Sequence, residues 1–105
     1  MGQINAKEEL KSVLQRINNE NIKCVKINKD NKKSSLKTNF SEEELDKFFI
    51  SLDYEYDNGW GGQELYGTVW LNDGTWLSRG EYDGSEWWAH NRVPEIPKEL
   101  VRRKK

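Results

Sequence analysis

Residues that commonly carry catalysis or covalent cross-links are scarce in this chain. Its 105 residues include one cysteine, Cys24, and one histidine, His90, so an internal disulfide is excluded and a single Cys–His pair is available. Cys24 lies in a short apolar segment, as a small core residue would, and we interpret His90 as structural or interfacial rather than catalytic. Glu81 with Asp83 or Glu86 resembles the carboxylate pair of a glycosidase, but so acidic a segment brings some carboxylates together by chance. The sequence therefore favours a protein that is not an enzyme and uses no cofactor or metal.

Long apolar runs are missing too. None approaches the ~18 residues of a membrane helix, and the first residues lack the apolar core of a signal peptide. Leu, Ile, Val and Phe make up 23 of the 105 residues, close to the composition of disordered chains. Five Trp, four Tyr and a net charge of −1 nevertheless favour a folded protein. With one cysteine, the composition predicts a single small domain in the cytoplasm, away from membranes.

Charge is segregated along the chain. Residues 1–40 hold nine basic and four acidic side chains, residues 41–88 hold two and twelve, and residues 89–105 hold six and two. The three blocks carry net charges of +5, −10 and +4. All twelve aromatic residues lie within residues 40–88, and all but Phe40 are in the acidic block. Charge polarity of this kind indicates partners rather than a fold.

Two amphipathic helices are predicted. Asn5 with Glu8, and Ser41 with Glu44, have the spacing of N-terminal capping boxes. Apolar residues then recur at i, i+3, i+4 and i+7, which places one apolar stripe on each helix. The helices are residues 6–18, with the stripe Leu10, Val13, Leu14 and Ile17, and residues 42–52, with the stripe Leu45, Phe48, Phe49 and Leu52.

The other apolar segments predict an antiparallel sheet. Residues 22–40 form a hairpin around a polar loop, and residues 65–93 form a three-stranded meander with turns at residues 72–74 and 83–84. Residues 94–105 follow as a basic tail that contains proline. The predicted class is α+β: an antiparallel sheet, made of the N-terminal hairpin and the meander, carries both helices on one face in the order α-β-β-α-β-β-β.

The meander also predicts where its rings point. A tight turn at residues 72–74 brings Trp70 opposite Trp76, and such aromatic pairs stabilise sheets. Trp87 and Trp88 are neighbours on a strand, so they point to opposite faces. A core this small cannot bury every ring, since each buries ~150–250 Å². The exposed rings indicate a binding patch, because Trp and Tyr dominate protein-binding hot spots, although they also stack on sugars or bases.

The segment 53–64 is an acidic, aromatic loop. Acidic residues at its positions 1, 3 and 5, with Glu64 at position 12, have the spacing of a calcium-binding loop. Asn58 stands where such loops need glycine, and a strand rather than a helix follows. We therefore favour a glycine-rich connection, or a recognition loop on a rigid scaffold, over a metal site.

Nucleic acid is a disfavoured partner on this evidence. The aromatic residues belong to the block with a net charge of −10, whereas single-strand binders set their rings in a positive groove. An acidic aromatic face suits a basic protein surface instead, including one that itself binds nucleic acid.

One part of the sequence resembles a known group of proteins. Residues 76–88, W-L-S-R-G-E-Y-D-G-S-E-W-W, and residues 94–97, P-E-I-P, resemble a signature of small proteins encoded by bacteriophages and mobile elements. The resemblance extends over residues 61–100 and assigns no catalytic or binding residue. Small acidic phage proteins include anti-CRISPR inhibitors, so the resemblance implies an inhibitor in an infected or lysogenic bacterial host.

The leading hypothesis is a non-enzymatic protein that occupies the basic, nucleic-acid-binding surface of a host protein such as a CRISPR effector nuclease. The alternative is a Trp platform that binds single-stranded nucleic acid or a glycan. The predicted partner-binding residues are the acids and rings of the 53–64 loop and of the second meander turn: Asp53, Glu55, Asp57, Trp60, Glu64, Glu81, Asp83, Glu86 and Trp88.

Overall fold

A computed structural model describes residues 3–59, 62–94 and 96–102. In this part of the chain, two helices and seven strands form the predicted α+β fold, in the predicted order apart from two additional short strands, and the strands make two antiparallel sheets rather than one. The elements are β1 (Gln3–Asn5), α1 (Ala6–Arg16), β2 (Ile22–Lys29), β3 (Lys32–Leu36), α2 (Glu42–Ser51), β4 (Glu55–Asp57), β5 (Tyr66–Leu71), β6 (Trp76–Tyr82), β7 (Ser85–Asn91) and a 3-10 helix (Lys98–Leu100).

Both helices begin at the predicted caps. The Asn5 side chain accepts a hydrogen bond from the Glu8 amide at 3.0 Å, which satisfies a free donor at the start of α1. Ser41 and Glu44 form a complete capping box at the start of α2. The predicted stripes face the core, with Leu10, Val13, Leu14, Phe48 and Leu52 buried.

The larger sheet has five strands in the order β3-β2-β5-β6-β7. The N-terminal hairpin and the meander join because β2 pairs with β5, with Val25 beside Val69. The Leu71 amide donates to the Thr75 carbonyl at 3.0 Å, and Trp70 lies opposite Trp76, as predicted.

A second, two-stranded sheet was not predicted. In it, β1 pairs with β4, so the predicted 53–64 loop contains a strand at Glu55–Asp57. Three-residue strands show no periodicity in a sequence, and their pairing links positions about fifty residues apart. The chain beyond β4 continues to the edge of the larger sheet, where Gly59 bridges to Ser85 and the Glu86 amide donates to the Asn58 carbonyl at 2.9 Å.

The larger sheet has one side covered by the helices. Paired positions share a side, and one covered row runs Leu36, Val25, Val69 and Leu77, all of them buried. These residues form one core cluster with the helix stripes.

Candidate functional site

The other side of the larger sheet carries several exposed side chains, and we call it the open face. Side chains alternate along each strand, so the strand register assigns its members. They are Cys24, Lys26 and Asn28 on β2, Lys33 and Ser35 on β3, Tyr66, Thr68 and Trp70 on β5, Trp76, Ser78, Gly80 and Tyr82 on β6, and Ser85, Trp87, Ala89 and Asn91 on β7.

Aromatic rings occupy the β5–β7 half of the open face. Trp70 is 42% exposed and lies beside Trp76, while Tyr66 is 52% exposed on the same strand as Trp70. Trp87 is 43% exposed, and its indole lies directly over Gly80, where a Cβ would stand 2.6 Å from the ring. Glycine at position 80 therefore leaves room for this indole to lie against the sheet, and the exposed part of the ring is available to a ligand.

Lysines occupy the β2–β3 half. Lys26, Lys33 and Lys37 are exposed and line a shallow groove of about 310 Å³, Lys37 being the first residue after β3. Among the described residues, none of these three ammonium groups has an acidic side chain within ion-pair distance. Their charge is therefore available to a ligand.

The open face has no Asp or Glu at any of its strand positions. This corrects the expectation of one acidic aromatic face. The acidic block of the sequence places its carboxylates on α2, on β4, in the turns and on the covered side of the sheet, while its exposed rings join lysines from the N-terminal hairpin. The distribution of charge along the sequence therefore does not predict the charge on each side of the larger sheet.

Glu86 and Trp88 are buried, which corrects their prediction as partner-binding residues. The Glu86 side chain is fully inaccessible and Trp88 is 3% exposed. Arg79 Nη2 donates to Glu86 Oε1 at 2.8 Å and to the Tyr56 hydroxyl at 2.7 Å, while Tyr56 donates to Glu9 at 2.5 Å. We call these four polar residues, Glu9, Tyr56, Arg79 and Glu86, the buried network. The polar groups of the buried network form hydrogen bonds and ion pairs with one another, so they are not available to a partner protein.

The buried network shifts two proton affinities. Burial, reinforced by the hydrogen bond to Glu9, raises the pKa of Tyr56 far above its usual value near 10. Burial alone would lower the pKa of Arg79, but its hydrogen bond to Glu86 and the charge of Glu9 outweigh that effect and raise it. The network therefore holds a neutral tyrosine and a charged arginine.

Sequence reasoning missed Arg79 and Tyr56. Strand alternation could have found Arg79, because it lies two residues after the core residue Leu77 and therefore on the covered side. Its partners come from α1, β4 and β7, and that meeting depends on the tertiary fold. Tyr56 was placed in a loop, and its burial follows from the pairing of β4 with β1.

Glu86 also fixes the end of the 53–64 segment. Its two carboxylate oxygens accept hydrogen bonds from the amides of Glu64 and Leu65 at 2.7 and 3.0 Å. Glu64 in turn lies 3.7 Å from Lys29, which partly neutralises it. Trp60, the predicted aromatic of this segment, lies outside the described residues.

Three predicted acids lie on β4 or just before it. Glu55 and Asp57 flank the buried Tyr56 on β4, so they share the outer side of the short sheet, and Asp53 lies two residues before the strand. A hydrogen bond from Asn5 and the nearby charge of Lys7 lower the pKa of Asp53. Sequence reasoning placed these acids together correctly, but on a different surface from the exposed Trp rings of the meander.

The second meander turn holds the remaining predicted acids. Glu81 is exposed and accepts a hydrogen bond from the Gly84 amide at 2.9 Å. It pairs with Glu86, so it lies on the side opposite the open face. Asp83 is exposed at a positive φ of 54°, which a tight turn requires and which Asp tolerates.

The lone histidine and cysteine have separate surroundings. His90 Nε2 lies 2.9 Å from the Thr75 hydroxyl, which donates to Asp73 at 2.6 Å. Cys24 is partly exposed on the open face beside Trp70, which corrects its assignment to the core. The Cys–His pair considered from the sequence therefore lies on opposite sides of the sheet. In the described part of the chain, no three His, Cys, Asp or Glu side chains converge as metal ligands would.

Comparison of the chain with protein-family models, with curated protein sequences and with solved structures finds no match. Among the described residues, no helix is long and apolar enough to span a membrane. The fold and the surface chemistry of this chain therefore carry the functional inference.

Proposed function

We propose that this protein is a binding module for single-stranded nucleic acid, with the open face as its binding surface. The observation that carries the proposal is the combination on that face of exposed Trp70 and Trp87, half-buried Trp76, three lysines without ion-pair partners among the described residues, and no carboxylate at the strand positions. Proteins that bind single strands combine stacking rings with a positive surface in the same way.

The two halves of the open face suit the two parts of a nucleotide. Adjacent strands lie ~4.8 Å apart, so the lysines on β2–β3 and the Trp rings on β5–β7 are separated by one to four strand spacings. A nucleic-acid strand that crosses the sheet from β3 to β7 can set phosphates against Lys26, Lys33 and Lys37 and stack bases on Trp70, Trp76 and Trp87. Stacking needs no particular base, so we expect weak sequence preference.

Double-stranded nucleic acid suits this surface poorly. Paired bases are stacked inside the duplex and cannot stack on protein rings. A major groove about 12 Å wide admits a helix or a two-stranded ribbon, whereas the open face is the side of a five-stranded sheet. The proposal therefore predicts a preference for single strands over a duplex of the same sequence.

Fluorescence anisotropy of a labelled 12-mer, with DNA and RNA as separate probes, tests the proposal. Because each stacked base contributes about 1–3 kcal/mol, we expect Trp70→Ala to weaken binding by about 5- to 150-fold. The matched control is Ile50→Ala, which removes an exposed apolar side chain from α2 on the helix side. Equal affinity of the two variants, or no binding of either probe at low salt, would overturn the proposal.

A neutral glycan is the other ligand that a Trp platform suits. It would leave the charge of Lys26, Lys33 and Lys37 unused, and so the lysines favour the nucleic acid. Competition of the labelled 12-mer by neutral oligosaccharides checks this choice. The proposal predicts none, whereas displacement together with salt-independent binding would favour the glycan.

The second candidate is binding to a basic surface of a host protein, such as a CRISPR effector nuclease. The observation that favours it is the acidic group made by Glu55 and Asp57 on the outer side of β4 and by Asp53 just before the strand. Gel filtration with such a nuclease tests it: a complex that forms with the parent chain should be lost when all three residues are changed to Ala. A complex that survives the triple substitution would exclude this surface.

A further inference from the structure

The chain that follows β7 forms an exposed arm, residues 92–102. Every described residue of the arm is exposed, including four apolar side chains: Val93 at 69%, Ile96 at 64%, Leu100 at 71% and Val101 at 57%. Their apolar surface is open to solvent and therefore available to a ligand that lies along the arm.

Two prolines restrict the backbone angles of the arm and favour an extended conformation. Pro94 and Pro97 fix their own φ angles, and Pro97 has φ −60° and ψ 148°, the polyproline II conformation. The short helix that follows uses local hydrogen bonds, from Leu100 to Pro97 and from Val101 to Lys98. An extended segment with preset angles loses less conformational entropy when it binds than a flexible one.

The charge of the arm and of the residues after it favours a polyanion. Residues 92–105 contain two acids, Glu95 and Glu99, and have a net charge of +4. The six cations are Arg92, Lys98, Arg102, Arg103, Lys104 and Lys105. Positive charge beside a positive open face would repel a second basic surface and attract a phosphate backbone.

The arm begins at the edge of the open face. It follows Asn91, which lies beside Trp76, and Trp76 lies beside Trp70. A strand stacked on this row therefore leaves the sheet over β7, at the point where the arm starts.

We infer that the arm is the second half of the nucleic-acid interface, an inference that rests on the proposed function. It follows the bound strand beyond β7, with its cations on phosphates and its apolar side chains against sugars and bases. The sheet alone then contacts a short oligonucleotide, and the arm contributes only when the ligand is long enough to pass the edge of the sheet.

The test compares the salt dependence of binding in full-length variants. One variant changes five cations to Gln: Lys98, Arg102, Arg103, Lys104 and Lys105. We expect it to bind a 16-mer with a slope of log K against log salt that is shallower by about 0.7 for each phosphate that the arm and residues 103–105 no longer neutralise, while its binding to a 4-mer stays unchanged. The control carries Lys11→Gln and Lys47→Gln, which lie on the two helices away from the open face, and should keep the parent slope.

A second variant separates apolar contact from charge. Ile96→Ser with Leu100→Ser should weaken binding of the 16-mer and leave the slope unaltered. An unchanged 16-mer slope in the five-Gln variant, with the parent chain binding normally, would overturn the role of the arm and leave the proposed function intact. Failure of the parent chain to bind either oligonucleotide would overturn both. A 16-mer affinity unaffected by the serine variant would overturn the apolar contact.

Discussion

At the scale of residues, Arg79 is the centre of the covered side. Its guanidinium carbon lies 4.8 Å from the centroid of the Trp88 ring and 5.7 Å from that of Tyr56, with Glu86 and Glu9 completing its surroundings. Among the described residues, Arg79 Nε, Arg79 Nη1 and Trp88 Nε1 are buried without a hydrogen-bond partner. A buried ion pair with free donors contributes little net stability, but it becomes costly when one member loses its charge.

The first prediction concerns that loss. Glu86→Gln removes the negative charge that faces Arg79. It also replaces one hydrogen-bond acceptor with an NH₂ donor, although both Glu86 oxygens accept hydrogen bonds from backbone amides. We expect the free energy of unfolding to fall by about 3 kcal/mol in urea denaturation. The control Glu81→Gln changes the exposed acid directly across the strands and should cost less than about 1 kcal/mol. Similar losses in the two variants would contradict the account of the buried network.

The second prediction concerns pH. The folded protein raises the pKa of Tyr56, so the folded state holds the hydroxyl proton more tightly than the unfolded state, where the pKa is about 10. The resulting stability is complete below pH 10 and is lost as pH rises above it. From pH 8 to pH 11, the parent should lose about 1.4 kcal/mol more unfolding free energy than Tyr56→Phe, which has no proton to release. Urea unfolding at both pH values measures this difference. An equal loss of unfolding free energy in the two chains would show that folding does not raise the pKa of the Tyr56 hydroxyl.

At the scale of elements, the register between β2 and β5 is what joins the lysines to the aromatic rings. Gly67 sits at this junction beside Ile27, with φ +155°. A Cβ at position 67 would stand 2.4 Å from the backbone oxygen of Lys26, which cannot move without disturbing the strand. Glycine at this position is therefore a condition for the close approach of the two strands.

The third prediction follows from this contact. Gly67→Ala should cost about 2–3 kcal/mol of unfolding free energy, because it combines backbone strain with a backbone clash. Gly62→Ala is the matched control, since a Cβ there meets nothing within 4 Å, and it should change stability by less than about 0.5 kcal/mol. Thermal and urea denaturation compare the two variants. A Gly67→Ala chain as stable as the parent would mean that β2 and β5 are not paired in this register.

The elements also show how far the sequence could predict the fold. Helix stripes, caps and the hairpin that sets Trp70 opposite Trp76 are local signals, and the structure contains each of them. The opposite orientations of Trp87 and Trp88 follow from strand alternation. The pairing of β1 with β4 could not be predicted, because it is long-range and involves three residues on each strand.

At the scale of the whole molecule, surface charge is distributed according to the two sides of the sheet and not according to the three charge blocks of the sequence. A net charge of −10 over residues 41–88 indicates an acidic site, yet the strand positions of the open face hold lysines and no acids. The reason is topological: β2 inserts beside β5 and brings Lys26 into the row of Thr68 and Ser78. Neither composition nor periodicity specifies which hairpins become neighbours in the sheet. The sequence could therefore predict the Trp residues of the candidate site but not its positive charge.

The account depends most on which surface holds the ligand, and nuclear magnetic resonance tests this directly. Titration of the ¹⁵N-labelled chain with an unlabelled single-stranded 12-mer reports contacts residue by residue. We predict shift changes at the amides of Lys26, Thr68 and Ser78 and at the indole N–H groups of Trp70 and Trp87. The amides of Glu55 and Asp57 on β4 should stay unchanged. Changes confined to β4, or none in a sample at low salt, would contradict the assignment of the open face as the binding surface.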